Sequence, residues 1–147
     1  MTTSVVIPVY NGKKYLEDNL PFVNKLGVDE IVLIDDASTD GSADYIFKNC
    51  PKIKLIRHLT NQRFPISVND GFQKATGDIV FLLNEDLKPQ KDLVKNTLRH
   101  FFDPLVFAVT FNEIGRSWAD GKWVNGLLEF TNGKLDSQLH DSLWPSG

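Results

Sequence analysis

Glu30-Ile31-Val32-Leu33-Ile34-Asp35-Asp36-Ala37-Ser38-Thr39-Asp40-Gly41-Ser42 opens on an apolar run and closes on two carboxylates and a cluster of small polar residues. A continuous apolar run without alternation is the pattern of a strand buried on both faces, as in a parallel sheet with helices on either side. Ser38 or Thr39 is placed to cap a helix that follows at once. A buried strand feeding directly into a helix is half of a βαβ unit.

The same pattern extends in both directions. Ser4 to Pro8 reads as a strand, and about Gly12 to Leu26 as a helix with Leu16, Leu20 and Val23 on one face, ended by Gly27. Lys52 to Arg57 makes a third strand, and Val68, Phe72 and Ala75 share helical spacing before Gly77. Ile79-Val80-Phe81-Leu82-Leu83 is a fourth strand, cut off by Asn84-Glu85-Asp86. Pro89 suits an early position in the next helix, which would bury Val94, Leu98 and Phe101. Leu105 to Phe111 is a further strand candidate; beyond it Gly115, Gly121, Gly126 and Gly133 punctuate a loop-rich segment. Within that segment Lys122 to Val124 and Leu127 to Thr131 read as short strands. The fold class is therefore α/β with a mostly parallel sheet flanked by helices.

Bulk properties narrow the partners. A chain of 147 residues with 41% hydrophobic and 24% charged residues suits one soluble core. A net charge of -3, with lysines scattered along the chain, offers no footprint for a nucleic acid backbone. Cys50 is the single cysteine, so no internal disulfide forms and a reducing cytoplasm fits. Its place before Pro51 suggests a small buried side chain. Pro8 interrupts Val5-Val6-Ile7, which excludes a signal-peptide core, and no stretch approaches the roughly 20 apolar residues of a membrane helix.

In an open α/β sheet, ligands collect outside the carboxyl ends of the strands. Two apolar strands end there in Asp35-Asp36 and in Asn84-Glu85-Asp86, and gathering like charges calls for hydrogen bonds or a cation. Mg²⁺ or Mn²⁺ suits such oxygens, with substrate phosphates supplying the remaining ligands. The plain alternative is that these acids cap turns and helices.

Five blocks, Ser4 to Asn11 (SVVIPVYN), Glu30 to Ser42, Asn61, Asn69 to Asp78 (NDGFQKATGD) and Ile79 to Asp86 (IVFLLNED), resemble in order and spacing a family 2 glycosyltransferase of the glycosyltransferase A fold, over about the first hundred residues. The resemblance implies a Rossmann-like sheet and transfer of a sugar from a UDP-, GDP- or dTDP-sugar to a saccharide or glycoconjugate hydroxyl, metal-assisted and inverting. It places Pro8, Tyr10 and Asn11 at the base and ribose, Asp35 and Asp36 as the acidic pair that receives them, and Asn61, Asn69, Asn84 and Glu85 around the nucleotide sugar. Asp86 matches the metal-binding aspartate, with Mg²⁺ or Mn²⁺ at the diphosphate. Asp78 takes a secondary, ordering role at the donor loop; Lys13 and Arg63 are nearby cations better read as solvated surface.

The chain departs from the pattern in two places. Asn84 replaces an aspartate of the metal triplet, and Gln62-Arg63-Phe64-Pro65 replaces a glycine-rich stretch. The family's general base lies in a later acidic motif that nothing here matches; Glu113, Asp120, Glu129, Asp136, Asp141 and His140 are conceivable stand-ins. The expectation is a nucleotide-sugar-binding core at residues 1–111 and, at 112–147, the truncated start of an acceptor-side region. A cytoplasmic protein in polysaccharide assembly, compatible with peripheral association at the inner membrane face, is implied. A non-catalytic sugar-nucleotide-binding or scaffold module keeps the same fold. A phosphoacceptor receiver fits less well, because its acid pair follows the first strand, and a dinucleotide dehydrogenase lacks its GxGxxG.

Overall fold

In the computed structural model, residues 1–111 are described, together with the backbone of two strands at 119–124 and 127–132. The chain forms β1 (Thr3–Val9), α1 (Lys13–Val23), β2 (Glu30–Asp35), α2 (Ser42–Asn49), β3 (Lys54–Arg57), α3 (Arg63–Lys74), β4 (Ile79–Leu82) and α4 (Leu93–Leu98). A 3-10 turn (Arg99–Phe102) and an antiparallel pair, β5 (Ala119–Val124) and β6 (Leu127–Asn132), follow. Two compact units divide the chain, Met1–Asn96 and Thr97–Gly147.

The first unit is built on a parallel sheet of order β3-β2-β1-β4. β1 and β2 bury nearly every side chain, which accounts for their lack of alternation. Crossovers from β1 to β2 and from β2 to β3 step one way across the sheet, and that from β3 to β4 steps back past β1. Right-handed crossovers therefore put α1 and α2 on one face and α3 on the other. Close contact confirms the side taken by α3: a Cβ built on Gly71 would lie 2.4 Å from Val6 Cγ1 and 2.7 Å from Ile34 Cδ1. Val6, Val32 and Ile34 form the core of that face.

Pro8 lies inside β1, a central strand, and yet breaks no existing rung. The Val6 carbonyl accepts from Leu83 N–H on the β4 side, and the Val9 carbonyl accepts from Asp36 N–H on the β2 side. Pro8, in phase with Val6, turns its nitrogen toward β4 one rung beyond the last pairing, Val6 with Leu82. Without an N–H it cannot extend that ladder. The backbone ladder between β1 and β4 therefore stops at its carboxyl end, where the strand order reverses.

Several sequence expectations need correction. α1 stops at Val23, and single turns (Lys25 N–H to Phe22 O, Leu26 N–H to Val23 O) carry the chain to Gly27, whose φ is 71°. α2 is not capped by Ser38 or Thr39; Asp40 Oδ1 accepts from Ser42 N–H at 3.0 Å, because those two residues bond back to the β1–α1 turn. Pro89 stands in irregular chain, and α4 begins only at Leu93. Val94 is buried, whereas Leu98 and Phe101 are half-buried and Phe72 is exposed. Cys50 is half-buried, and burial pushes its thiol pKa up. Leu105 to Phe111 is not a strand, and Leu105 and Phe107 are exposed. Propensity makes no strand without a neighbour to complete the ladder, and among the described residues the parallel sheet contains β1 to β4.

At the amino ends of the strands Glu30 accepts from Ser4 Oγ at 2.8 Å, Thr76 N–H at 2.9 Å and Thr76 Oγ1 at 3.1 Å. Burial raises its pKa, but these donors outweigh burial and hold it below the usual range. Glu30→Ala is expected to cost about 1 kcal/mol, because the buried Ser4 hydroxyl loses its acceptor while the exposed Thr76 donors turn to water, read from urea unfolding at neutral pH.

Candidate functional site

The carboxyl ends of β1, β2, β3 and β4 bring their loops to one edge of the sheet. Asn11, Ala37 and Arg63 are the described non-glycine residues with positive φ (54°, 60° and 70°), and each stands in a loop at that edge or at the start of the helix leaving it. Such backbone costs of order 1 kcal/mol per residue and is held by surrounding bonds. Arg63 occupies the stretch where the sequence comparison anticipated glycine, and its φ shows why glycine suits that place.

Asp35 and Asp36 separate. Side chains alternate along a strand, so Asp36 shares the α3 face with Ile34 while Asp35 turns to the α1–α2 face. Asp35 is fully buried, and neither of its oxygens has a hydrogen-bond donor among the described residues. Arg57 Nε comes within 3.3 Å of Oδ2, close enough for charge attraction but off the line of a hydrogen bond. Asp36 is engaged on both oxygens: Oδ1 accepts from Gln62 N–H at 2.7 Å and faces His58 Nδ1 at 2.7 Å, and Oδ2 accepts from Arg63 N–H at 2.8 Å. Burial raises the Asp36 pKa, but the Gln62, His58 and Arg63 donors override it and hold the carboxyl below the usual range.

Around the β1 end, Tyr10 is half exposed, and Asn11 ties two loops together. Its N–H donates to Ser38 Oγ at 2.9 Å, and its Oδ1 accepts from Thr39 N–H at 2.8 Å. Lys13 N–H donates to Asp40 Oδ2, and the Lys13 ammonium lies 3.9 Å from Glu17. Pro8 is buried beneath them.

At the β4 end the three polar residues diverge. Glu85 tucks under the β1–α1 turn, so that a Cβ on Gly12 would meet its Cγ at 2.8 Å. Burial pushes its pKa up, and the neighbouring Asp86 charge adds to this. Asn84 is half-buried, whereas Asp86 is exposed and has no hydrogen bond or ion pair among the described residues. Asn61 is exposed, and its Oδ1 accepts from Arg63 N–H. Asn69 lies exposed on α3. Asp78 stands at the opposite edge of the sheet, accepting from Thr2 N–H at 2.7 Å, which removes it from the donor loop.

Two residues that the sequence reading did not single out join the site, His58 and Asp70. His58 Nδ1 faces Asp36 at 2.7 Å and Nε2 faces Asp70 Oδ2 at 3.0 Å. The signal was the pairing of Asp35 with Arg57, which sets His58 beside Asp36. Glu113, Asp136, His140 and Asp141 lie outside the described residues; Asp120 and Glu129 are placed by backbone on β5 and β6.

No three His, Cys, Asp or Glu side chains among the described residues gather as a metal cluster. The donor chemistry still fits Mg²⁺ or Mn²⁺, since one uncommitted carboxylate, Asp86, can hold such an ion when substrate phosphates complete its shell. No helix among the described residues is long and apolar enough to cross a membrane.

The family description "Glycosyl transferase family 2" matches residues 4–143. Undecaprenyl-phosphate 4-deoxy-4-formamido-L-arabinose transferase of Pectobacterium atrosepticum is 38% identical over 94 residues, 58% of this chain and 29% of that protein. Dolichol-phosphate mannosyltransferase of Pyrococcus furiosus is 30% identical over 100 residues, 64% of this chain and 28% of that one. The chain thus spans under a third of either relative. Among solved structures, the mannosyltransferase PcManGT of Pyrobaculum calidifontis with GDP-Man and Mn²⁺ superimposes with a TM-score of 0.64 at 25% identity, covering 71% of this chain and 33% of that one. S. aureus TarS 1-349 with UDP-GlcNAc gives 0.61 at 29% identity, covering 71% and 32%. The parallel sheet, its acid-ended strands and the match over residues 4–143 place the chain in glycosyl transferase family 2.

Proposed function

We propose that residues 1–111 form the donor-binding core of a glycosyltransferase that moves a sugar from a nucleoside diphosphate sugar to an acceptor hydroxyl, with inversion and metal assistance. Residues 112–147 begin the acceptor side. The observation that carries this reading is the end of the β1–β4 ladder, where Pro8 stops the pairing and Tyr10 and Asp86 stand exposed beyond the two strands. Solved relatives bound to UDP-GlcNAc and to GDP-Man support the class of donor.

Tyr10 is placed to stack on the base, with Pro8 and Asn11 shaping the pocket beneath it. Asp35, buried with unused acceptor oxygens, would meet base or ribose once the loops above it yield to the nucleotide, whereas Asp36 acts by holding the loop of Asn61 and the start of α3 at Arg63. Asn84 faces the ribose, Glu85 braces the turn that carries Tyr10, and Asn69 borders the donor loop. Asp86 would hold Mg²⁺ or Mn²⁺ against the diphosphate, where the bound ion would supply charge neutralisation for the departing nucleoside diphosphate. Action at the cytoplasmic face of a membrane, on a saccharide or glycoconjugate, is part of the proposal.

A thermal-shift series with UDP, GDP, dTDP and their sugar derivatives, with and without Mn²⁺, tests it. Mn²⁺-dependent stabilisation is expected, of about 2.7 kcal/mol at a hundredfold excess over Kd. Asp86→Ala is expected to weaken that binding by at least about tenfold, as loss of one charge-assisted contact does. Stabilisation that needs no metal and survives Asp86→Ala rejects the assigned role. Metal-dependent binding without transfer to any acceptor selects the non-catalytic module.

A further inference from the structure

Asp36, a buried carboxylate at the candidate site, is linked through His58 to Asp70 on α3. The side chain of His58 is only 11% exposed, and the His58 backbone N–H donates to the Asp35 carbonyl at 2.9 Å. Asp36 in turn accepts from the N–H groups of Gln62 and Arg63. The imidazole thus stands between the end of β2 and the body of α3, with the loop spanning residues 59–62 fastened to the same carboxylate. Resting on the donor reading above, we propose that His58 is a positioning residue for the nucleotide: bridged to Asp36 and Asp70, it fixes the loop that carries Asn61 and Arg63 over the strand ends.

The bridge depends on protonation. A neutral imidazole has a single N–H, yet each ring nitrogen faces a carboxylate oxygen, so only the imidazolium donates to both. The hydrogen bond to Asp36 raises the His58 pKa above its ordinary value; burial opposes this, and Asp70 reinforces it. Charged groups on the packed elements are Asp35 and Asp36 from β2, Arg57 from β3, which is paired with Asp35, and Arg63 and Asp70 from α3. Because the folded pKa is raised, the contribution of the bridge is complete below the unfolded imidazole pKa and is lost as pH rises through the folded one.

Titration calorimetry of UDP and GDP with Mn²⁺ into the full chain, from about pH 5.5 to about pH 8.5, spans the ordinary imidazole pKa. Wild-type affinity is expected to fall about tenfold across this range, the worth of one charge-assisted hydrogen bond. In His58→Asn the amide nitrogen takes the place of Nδ1 and does not titrate, so acid-side affinity should persist and the profile should record only the nucleotide's own protonation. His58→Ala should lose about tenfold at the acid end. Asp70→Asn should keep the wild-type shape with its midpoint moved to lower pH. A wild-type profile that superimposes on that of His58→Asn overturns the positioning role, as does unchanged binding in His58→Ala. Failure of the wild type to bind either nucleotide at any pH overturns the donor reading, and this role with it.

Discussion

Asp36→Ala is expected to lower folding stability by about 3 kcal/mol or more, the cost of removing one partner from a buried, hydrogen-bonded charge pair. The loss should appear in urea unfolding at neutral pH as a lower midpoint with little change in slope. Alanine would strand the backbone N–H of Gln62 and the imidazole of His58, and would leave Arg63 N–H with Asn61 Oδ1 as its acceptor. Arg63, which opens α3, already holds a φ of 70°, so the turn that presents these donors depends on its bonds to stay in place. Asp36→Asn should fall between alanine and wild type, since the amide keeps one acceptor oxygen and offers a donor to the other partner. The pH dependence separates the two ends of the bridge. Asp36, held low, contributes above its unfolded pKa and loses that contribution as pH falls through the folded value. His58, held high, loses its contribution as pH rises. Wild-type stability should therefore peak between these limits, and a loss under about 1 kcal/mol for alanine would show that the carboxylate does not anchor the loop.

Gly71→Ala should also destabilise, by about 2 kcal/mol, although alanine is the better helix former by about 1 kcal/mol. The added methyl would meet Val6 Cγ1 at 2.4 Å and Ile34 Cδ1 at 2.7 Å, and both residues are wholly buried. A close-packed interior leaves these side chains nowhere to retreat, so α3 must lift from the sheet. Asp70 precedes Gly71 and would be carried with the helix, weakening its contact with His58. Gln73→Ala, on an exposed position of the same helix, provides the control and should change stability by less than about 0.5 kcal/mol. A neutral or stabilising Gly71→Ala would mean that α3 is not pinned at this contact.

The sheet was legible because its strands carry a strong signal: Ile31 to Ile34 and Ile79 to Leu83 are apolar runs stopped by acids. α1 was legible through the spacing of Leu16, Leu20 and Val23, all buried. Leu105 to Phe111 shows the limit, since β-branched and aromatic residues supply propensity but not a pairing partner. Helix ends were less readable, as with α4, whose start at Leu93 ignores the Pro89 signal. In the site, the acid positions could be read off but their division of labour could not. Adjacent Asp35 and Asp36 look alike in sequence, yet strand alternation sends them to opposite faces, one to a web of donors and the other to none among the described residues. His58 and Asp70 stayed hidden because their meeting depends on β2–β3 register and on the face chosen by α3.

The ring of Pro8 has a kinetic meaning as well. A cleft between two strands of an ordinary ladder would have to break a backbone bond before admitting a guest, and would tend to reseal behind it. Here the end of the β1–β4 ladder is written into the covalent chain, so no backbone bond between the strands has to break beyond Val6 and Leu83. Entry then costs the ordering of loops rather than the parting of a sheet, and association should be limited by encounter and loop settling instead of by strand opening.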